Sequence, residues 1–256
     1  MSKQDAHKLM RGQTLERILQ VLLAGAVDKR GIQKAAGLSW GAVSDGIALL
    51  ESKGVVKAIA LPPEEGKLGR HSSAYQFNPA RNLALGLVLE DTRSFASLVT
   101  LSGEPVLQDF MAHADHLNAE NARERVVSAC LRNMKKAKLP ADSLGGIGLS
   151  LPGAVRPESL TWVYAPFQPE AKQIEFERRA KIGPRHSVPL SIEHDVMAIA
   201  RAVMRRESWQ DKDFIFLNFS EGVGMSAAFN GKFFAGARGY ACEIGHMPIV
   251  RGKNAR

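Results

Sequence analysis

The sequence predicts an α/β protein of two parts, a small helical domain over residues 1–80 and a larger α/β body over residues 81–256. Three observations lead there. An apolar stripe of helical period, Leu15, Ile18, Leu19 and Leu22, opens the chain. Asn78-Pro79 marks a boundary after it. Beyond that boundary, short apolar runs alternate with helical patterns, the order of an α/β domain. A length of 256 residues fits two domains.

Composition narrows the class. Apolar residues make up 45% and charged residues 23%, an ordinary globular balance. This excludes a disordered tail, a collagen-like chain and a disulfide mini-protein. No apolar run reaches the roughly 18 residues that a membrane helix needs. Met1-Ser2-Lys3-Gln4-Asp5 has no apolar signal segment, so a cytoplasmic location and no membrane partner are expected. Cys130 and Cys242 are isolated from each other and form neither a disulfide framework nor a metal-binding pair.

The net charge is +8. Residues 1–80 hold 11 Lys and Arg against 7 Asp and Glu, while residues 81–256 hold 23 against 19. Each part therefore carries +4, at more than twice the density in the first. Such a balance suits a nucleic-acid partner and equally suits solvated surface lysines.

The first eighty residues divide into short elements. Thr14 to Ala24 reads as a helix. Asp28 caps a second helix, Lys29 to Ala36, which buries Ile32. Gly37 follows where a left-handed residue is wanted, and Leu38 enters the core. Ser39 caps a third helix that buries Val43, Ile47 and Leu50, and Gly54 closes it. Two strand-like runs, 55–61 and 74–77, flank the turn-rich segment 62–71. Three helices followed by a hairpin is the order of a winged helix-turn-helix. A small protein-binding helical bundle is the alternative.

In a winged helix-turn-helix the third helix enters the major groove. Trp40, Gly41, Ser44 and Asp45 would be presented there, and a hairpin arginine such as Arg70 could reach a phosphate or an A·T-rich minor groove. Asp45 is repelled by phosphate but can accept from cytosine N4. Gly41 and Gly46 each weaken a helix by about 1 kcal/mol relative to Ala. No Arg or Lys lies between Ser39 and Ser52, so affinity would come from Lys34, Lys53, Lys57, Lys67 and Arg70. The DNA-binding candidates are Ser39, Trp40, Ser44, Lys67 and Arg70.

In the body, strands are expected at 83–89, 94–101 and 105–111, with Ser102-Gly103 as a turn. A helix from about Asn118 would turn Val127, Cys130, Leu131 and Met134 inward, making Cys130 a buried thiol. A strand at 144–151 ends in Pro152-Gly153. A helix at 193–207 would bury Val196, Ile199, Ala200 and Val203. Strands at 213–219 and up to Phe229 follow, and Asn230-Gly231 signals a hairpin.

Leu85-Gly86-Leu87, residues 146–153 (Gly-Ile-Gly-Leu-Ser-Leu-Pro-Gly), Glu193-His194-Asp195 and Cys242-Glu243-Ile244-Gly245-His246, behind such an N-terminal module, resemble the ROK family of repressors, open reading frames and sugar kinases. The resemblance spans nearly the whole chain. It implies an actin-like ATPase (ribonuclease H-like) fold for the body. It also implies dimers, a homodimer suiting a palindromic operator.

In the family's kinases the first strand pair carries an Asp-x-Gly-Gly-Thr phosphate loop. The matching residues here are Val88, Leu89, Glu90, Asp91 and Thr92, with acids in place of both glycines. A second phosphate loop, usually Gly-Thr-Gly, is matched by Ser220-Glu221-Gly222. Glycine lets backbone N–H groups approach phosphate, whereas a carboxylate repels it. No nucleotide cofactor and no enzymatic activity are therefore expected.

The sugar side keeps more of the family pattern. Asp195 matches the aspartate that deprotonates the attacked hydroxyl in the kinases, and it is also placed to be a plain helix cap. Glu243 and His246 match sugar-contacting positions, although a surface histidine would look the same. Asp195, Glu243 and His246 are the ligand-binding candidates, with Asp195 catalytic only in a kinase. In the family the Gly-His element precedes a cysteine cluster that holds zinc. No cysteine follows Cys242 here, and one histidine cannot hold a tetrahedral zinc, so no metal is expected.

The second lobe is expected to be incomplete, whether the chain is a fragment, a truncated product or a member lacking a lobe. Strand faces within Phe214–Phe219 would then be partly uncovered. The leading expectation is a sugar-responsive transcriptional regulator, a repressor that binds operator DNA and senses a sugar or sugar phosphate. An ATP-dependent sugar kinase and a non-functional remnant are the alternatives.

Overall fold

The computed structural model describes residues 3–60, 73–118, 121–165, 173–220, 222–237, 239 and 241–247, with side chains from residue 12. The chain divides into two compact units. One comprises residues 1–85, 97–108 and 133–146, and the other residues 86–96, 109–132 and 147–256. Among the described residues no helix is long and apolar enough to cross a membrane.

The first unit begins with α1 (Lys3–Leu22), β1 (Val27–Asp28), α2 (Lys29–Ala36), α3 (Trp40–Ser52), β2 (Val56–Ala60) and β3 (Ser73–Phe77). The helix starts and stops follow from local chemistry. The Asp28 carboxylate accepts from the Gly31 N–H at 2.7 Å and caps α2. Gly37 ends α2 at φ 62°, a left-handed conformation that glycine adopts without steric cost. The Ser39 hydroxyl accepts from the Ala42 N–H at 3.2 Å and caps α3. Ile18, Leu22, Ile32, Val43, Ile47, Leu50, Val56, Tyr75 and Phe77 form one core. The two strand-like runs pair as β2 and β3, antiparallel, with Val56 opposite Phe77. β1 adds a third strand, Val27 opposite Tyr75, which its two-residue length conceals in the sequence. α1 starts at Lys3, earlier than the apolar stripe alone indicates.

β4 (Leu83–Leu89), β5 (Arg93–Val99) and β6 (Pro105–Ala112) follow, then α4 (Ala122–Lys136), β7 (Leu144–Leu151), β8 (Ala154–Arg156), β9 (Thr161–Tyr164), β10 (Ile174–Glu175), β11 (Arg179–Lys181) and β12 (Ser187–His194). α5 (Asp195–Arg206), β13 (Phe214–Phe219), β14 (Val223–Phe229) and β15 (Lys232–Phe233) complete the described elements, apart from short 3-10 turns at 141–143 and 244–246. A six-stranded sheet has the order β11-β12-β7-β4-β5-β6. Within it β12 runs parallel to β7, with Leu190 opposite Ile147. Two further sheets have the orders β10-β9-β8 and β13-β14-β15.

The expected strands at 83–89, 94–101, 105–111 and 144–151 are present within one or two residues. Two helix faces differ from expectation. On α4 the inward stripe is Ala122, Arg125, Val126, Ala129, Cys130, Asn133 and Met134, while Leu131 is 46% exposed and Val127 only half-buried. Apolar periodicity misses this because two inward positions are polar. On α5, Val196 and Ala200 are buried but Ile199 is 43% exposed. Asn230 and Gly231 both have positive φ, 50° and 70°, as a tight β14–β15 hairpin turn requires.

Candidate functional site

The first candidate surface is the outer side of α3. Val43, Gly46, Ile47 and Leu50 are buried, so Trp40, Gly41, Asp45, Ala48, Glu51 and Ser52 are left exposed and Ser44 half-buried. Gly46 is needed for packing, since a Cβ there would lie 2.4 Å from Ile18 Cδ1 of α1. Gly41 has open space around it. Trp40 is 51% exposed at the first turn of α3. Ser39 already accepts the Ala42 N–H, but its hydroxyl still has a proton to donate. Charge is segregated between helices. α2 carries Lys29, Arg30 and Lys34 and no acid, while α3 carries Asp45 and Glu51 and no base. Lys53 and Lys57 are exposed beyond α3. Lys67 and Arg70 lie outside the described residues.

The second candidate lies in the other unit, at the carboxyl ends of β7 and β12. Glu193 pairs with Ser150 and His194 with Leu151. Beyond Leu151 the chain turns at Pro152-Gly153, where Gly153 has φ 83°. The buried Trp162 indole donates to the Pro152 carbonyl at 2.8 Å and fixes that turn. The carboxyl ends of parallel strands in an open α/β sheet are where ligands characteristically bind.

Asp195 is the first residue of α5. The cap position belongs to His194, whose side chain makes no capping bond, so the reading of Asp195 as the cap is corrected. The Asp195 Oδ1 accepts the Val196 N–H at 2.6 Å and lies 3.3 Å from His194 Nε2. Its Oδ2 has no hydrogen-bond partner among the described residues. Glu193 is engaged otherwise, accepting from Arg201 Nε at 2.8 Å. Arg201 in turn stacks over the Phe233 ring at 4.5 Å.

Glu243 precedes the 3-10 turn Ile244–His246 and His246 ends it, which sets them three residues apart. The Glu243 Oε2 and His246 Nε2 lie 3.8 Å apart, with side-chain exposures of 44% and 84%. Gly245 permits this turn by its small size: a Cβ there would lie 2.2 Å from the Val223 carbonyl oxygen. Its φ is not in the left-handed region, so close approach rather than backbone freedom explains the glycine. On the neighbouring residue, a Cβ at Gly224 would lie 2.5 Å from Val196 Cγ2. Adjacent β14 residues therefore meet both the 244–246 turn and the first turn of α5. Among the described residues no cluster of three or more His, Cys, Asp or Glu could hold a metal ion.

The acids at the β4–β5 turn have internal partners. Glu90 pairs with Arg93. The Asp91 carboxylate takes His116 Nδ1 at 2.6 Å and the Leu117 N–H at 3.1 Å. The buried Arg125 donates to the carbonyls of Asp91, at 2.6 Å, and Asp115. The desolvation of Arg125 lowers its pKa, while Asp91 and Asp115 raise it. Sequence reasoning missed this clasp because its partners lie 10 to 34 residues apart. Glu221 lies outside the described residues.

The sequence profile of the ROK family matches residues 96–255. The chain belongs to the ROK family. Among curated relatives, it is 24% identical to a xylose repressor of Caldicellulosiruptor bescii over 95% of this chain and 60% of that protein. It is 21% identical to a xylose repressor of Bacillus subtilis over 90% of this chain and 58% of that protein. The chain thus spans about three fifths of the length of these relatives.

Among solved structures, it resembles a ROK family transcriptional regulator described as a homologue of the Escherichia coli MLC protein. The TM-score is 0.68 at 17% identity, over 94% of this chain and 60% of that one. A ROK family glucokinase from Streptomyces griseus, in complex with glucose and AMPPNP, matches at TM-score 0.53 and 22% identity, over 66% and 51%. At these identities the likeness is one of fold, the mixed α/β actin-like fold of ROK proteins.

Proposed function

We propose that this protein is a sugar-responsive transcriptional regulator, a repressor that binds operator DNA. In this reading residues 1–80 form a winged helix-turn-helix domain and residues 81–256 a sugar-sensing body. The observation that carries it is the outer face of α3, solvent-exposed next to a basic α2, in the same chain as a ROK body. The relatives named as xylose repressors support the same direction. A homodimer would match a palindromic operator.

The sugar or sugar phosphate would bind at the carboxyl ends of β7 and β12, with Asp195 and Glu243 accepting its hydroxyl protons and His246 contributing. Ionised carboxylates are strong acceptors and fix hydroxyl orientation. The sugar shifts DNA affinity only if it binds one conformation better than another. The acids at 90 and 91, already paired within the chain, weigh against a phosphate cradle and so against the kinase alternative. Gel-shift titration of the full chain against duplex DNA at two salt concentrations, with and without a panel of sugars and sugar phosphates, tests the reading. Binding that weakens steeply with salt and changes with one sugar is expected. Absence of binding at low salt refutes it, and turnover of Mg·ATP with a hexose, lost in Asp195→Asn, would put the kinase in its place.

A further inference from the structure

The division of charge between α2 and α3 leads further. Three cations and no acid lie on α2, whereas the exposed face of α3 offers Trp40, Gly41, Asp45, Ala48, Glu51 and Ser52 without a single positive charge. Asp45 is exposed and makes no ion pair or hydrogen bond with any described residue. An ionised carboxylate is an acceptor only. In the major groove, cytosine N4 and adenine N6 are donors, whereas guanine presents N7 and O6 and thymine O4, all acceptors. Glu51, exposed further along, adds to the negative charge of α3 but lies at its far end. A carboxylate at position 45 therefore disfavours phosphate and, on the strand it faces, guanine and thymine, and accepts from the amino group of cytosine or, beside its N7, of adenine. The neighbouring positions keep the approach open, because Gly41 has no atom within 4 Å of where its Cβ would be and Ala48 is small.

We propose that Asp45 is the specificity-determining residue of α3, selecting the orientation of one base pair so that cytosine or adenine, with its exocyclic amino group, lies on the strand that the carboxylate faces, while the exposed Arg30 and Lys34 of α2 supply sequence-independent attraction to phosphate. The inference rests on the DNA-binding reading and assigns its selectivity to one side chain. Arginine is the commonest reader of guanine, and α3 has none. Selectivity here works chiefly by rejection, through the acceptors that Asp45 repels.

Selection of bound duplexes from a pool with a randomised core, using the full chain, tests this. The native chain should enrich cytosine or adenine at one position of each half-site, with about tenfold discrimination against guanine. Asp45→Asn, which can pair with adenine N6 and N7, should move that position toward adenine. Asp45→Ala should lose the preference at that position alone and bind random duplex more tightly. Lys34→Ala should weaken binding without changing the enriched sequence. An Asp45→Ala chain that enriches the native sequence unchanged overturns the inference while leaving DNA binding intact. A native chain that retains no duplex at low salt overturns the DNA reading itself, and this inference with it. Circular dichroism matching the native chain establishes that each variant folds.

Discussion

Gly224 of β14 lies so close to Val196 of α5 that a Cβ on it would sit 2.5 Å from Val196 Cγ2. That contact fixes the first turn of α5 on the sheet and with it the position of Asp195, the preceding residue. Val196 is 5% exposed, so it has little room to withdraw. Gly224→Ala should therefore lower stability by about 1–3 kcal/mol, the usual cost of overpacking. Val196→Ala removes the opposing methyl groups. The double variant should then be more stable than the sum of the two single losses implies. Urea unfolding of the four proteins measures this, and strictly additive losses would show that the two residues do not compete for the same space.

A pair of glycines separates two roles within α3. Gly41 faces open space, whereas a Cβ at Gly46 would meet Ile18 Cδ1 at 2.4 Å. Gly41→Ala should raise stability by about 0.5–1 kcal/mol, because alanine loses less backbone freedom on entering a helix. At Gly46 the same propensity gain is opposed by the fully buried Ile18. Gly46→Ala should melt at a lower temperature than the native chain. Thermal unfolding of both variants decides it, and stabilisation by Gly46→Ala would mean that Ile18 can rotate away.

These contrasts show where the sequence was readable. The caps Asp28 and Ser39, the left-handed Gly37 and the buried Val43, Ile47 and Leu50 follow local rules, and each is found where those rules place it. The strands at 83–89 and 144–151 announced themselves as apolar runs between turn residues. The small strands between Ala154 and Lys181 did not, because strands of two to four residues are too short to carry a periodicity of their own. The stripe of α4 was misjudged at Leu131 because Arg125 and Asn133 occupy the interior, and an interior arginine is held by carbonyls distant in the chain. Asp195, Glu243 and His246 were legible as residue types. Their attachment to neighbouring residues of β14 was not, since it rests on two glycine contacts with no local signature.

The two thiols should behave differently. Burial pushes the Cys130 thiol up to about 12, so almost no thiolate exists at neutral pH. Cys242 is half-buried, and its thiol is also raised, by burial first and then by the nearby Glu243. In the native chain at pH 8, Cys242 should react slowly with a thiol-directed disulfide reagent and Cys130 not at all until denaturant is added. Mass spectrometry of the labelled peptides distinguishes them. Rapid modification of Cys130 without denaturant would mean that the buried face of α4 becomes exposed by local opening on the labelling timescale.

His113 links the same region to pH. Its Nε2 lies 2.9 Å from the buried Ser94 hydroxyl, next to the last residue of β6. Burial lowers its pKa below 6.5, and the nearby Arg125 and Arg132 lower it further. Arg132 is partly neutralised by Asp109, at 2.8 Å, while Arg125 donates to the carbonyls of Asp91 and Asp115 and feels the charges of both side chains. A histidine with a lowered folded pKa binds protons more readily in the unfolded chain. Its contribution is therefore fully present above about pH 6.5, the unfolded value, and is lost as pH falls toward the lowered folded value. Urea unfolding at pH 7.5 and at pH 5.5 should show the native chain weaker at the lower pH. His113→Gln keeps a polar group that can reach the Ser94 hydroxyl but cannot titrate. It should start less stable at pH 7.5 and lose less on acidification. Equal losses in the two proteins would move the acid sensitivity to another group, and a larger loss in the variant would mean that protonated His113 finds a partner the neutral ring lacks.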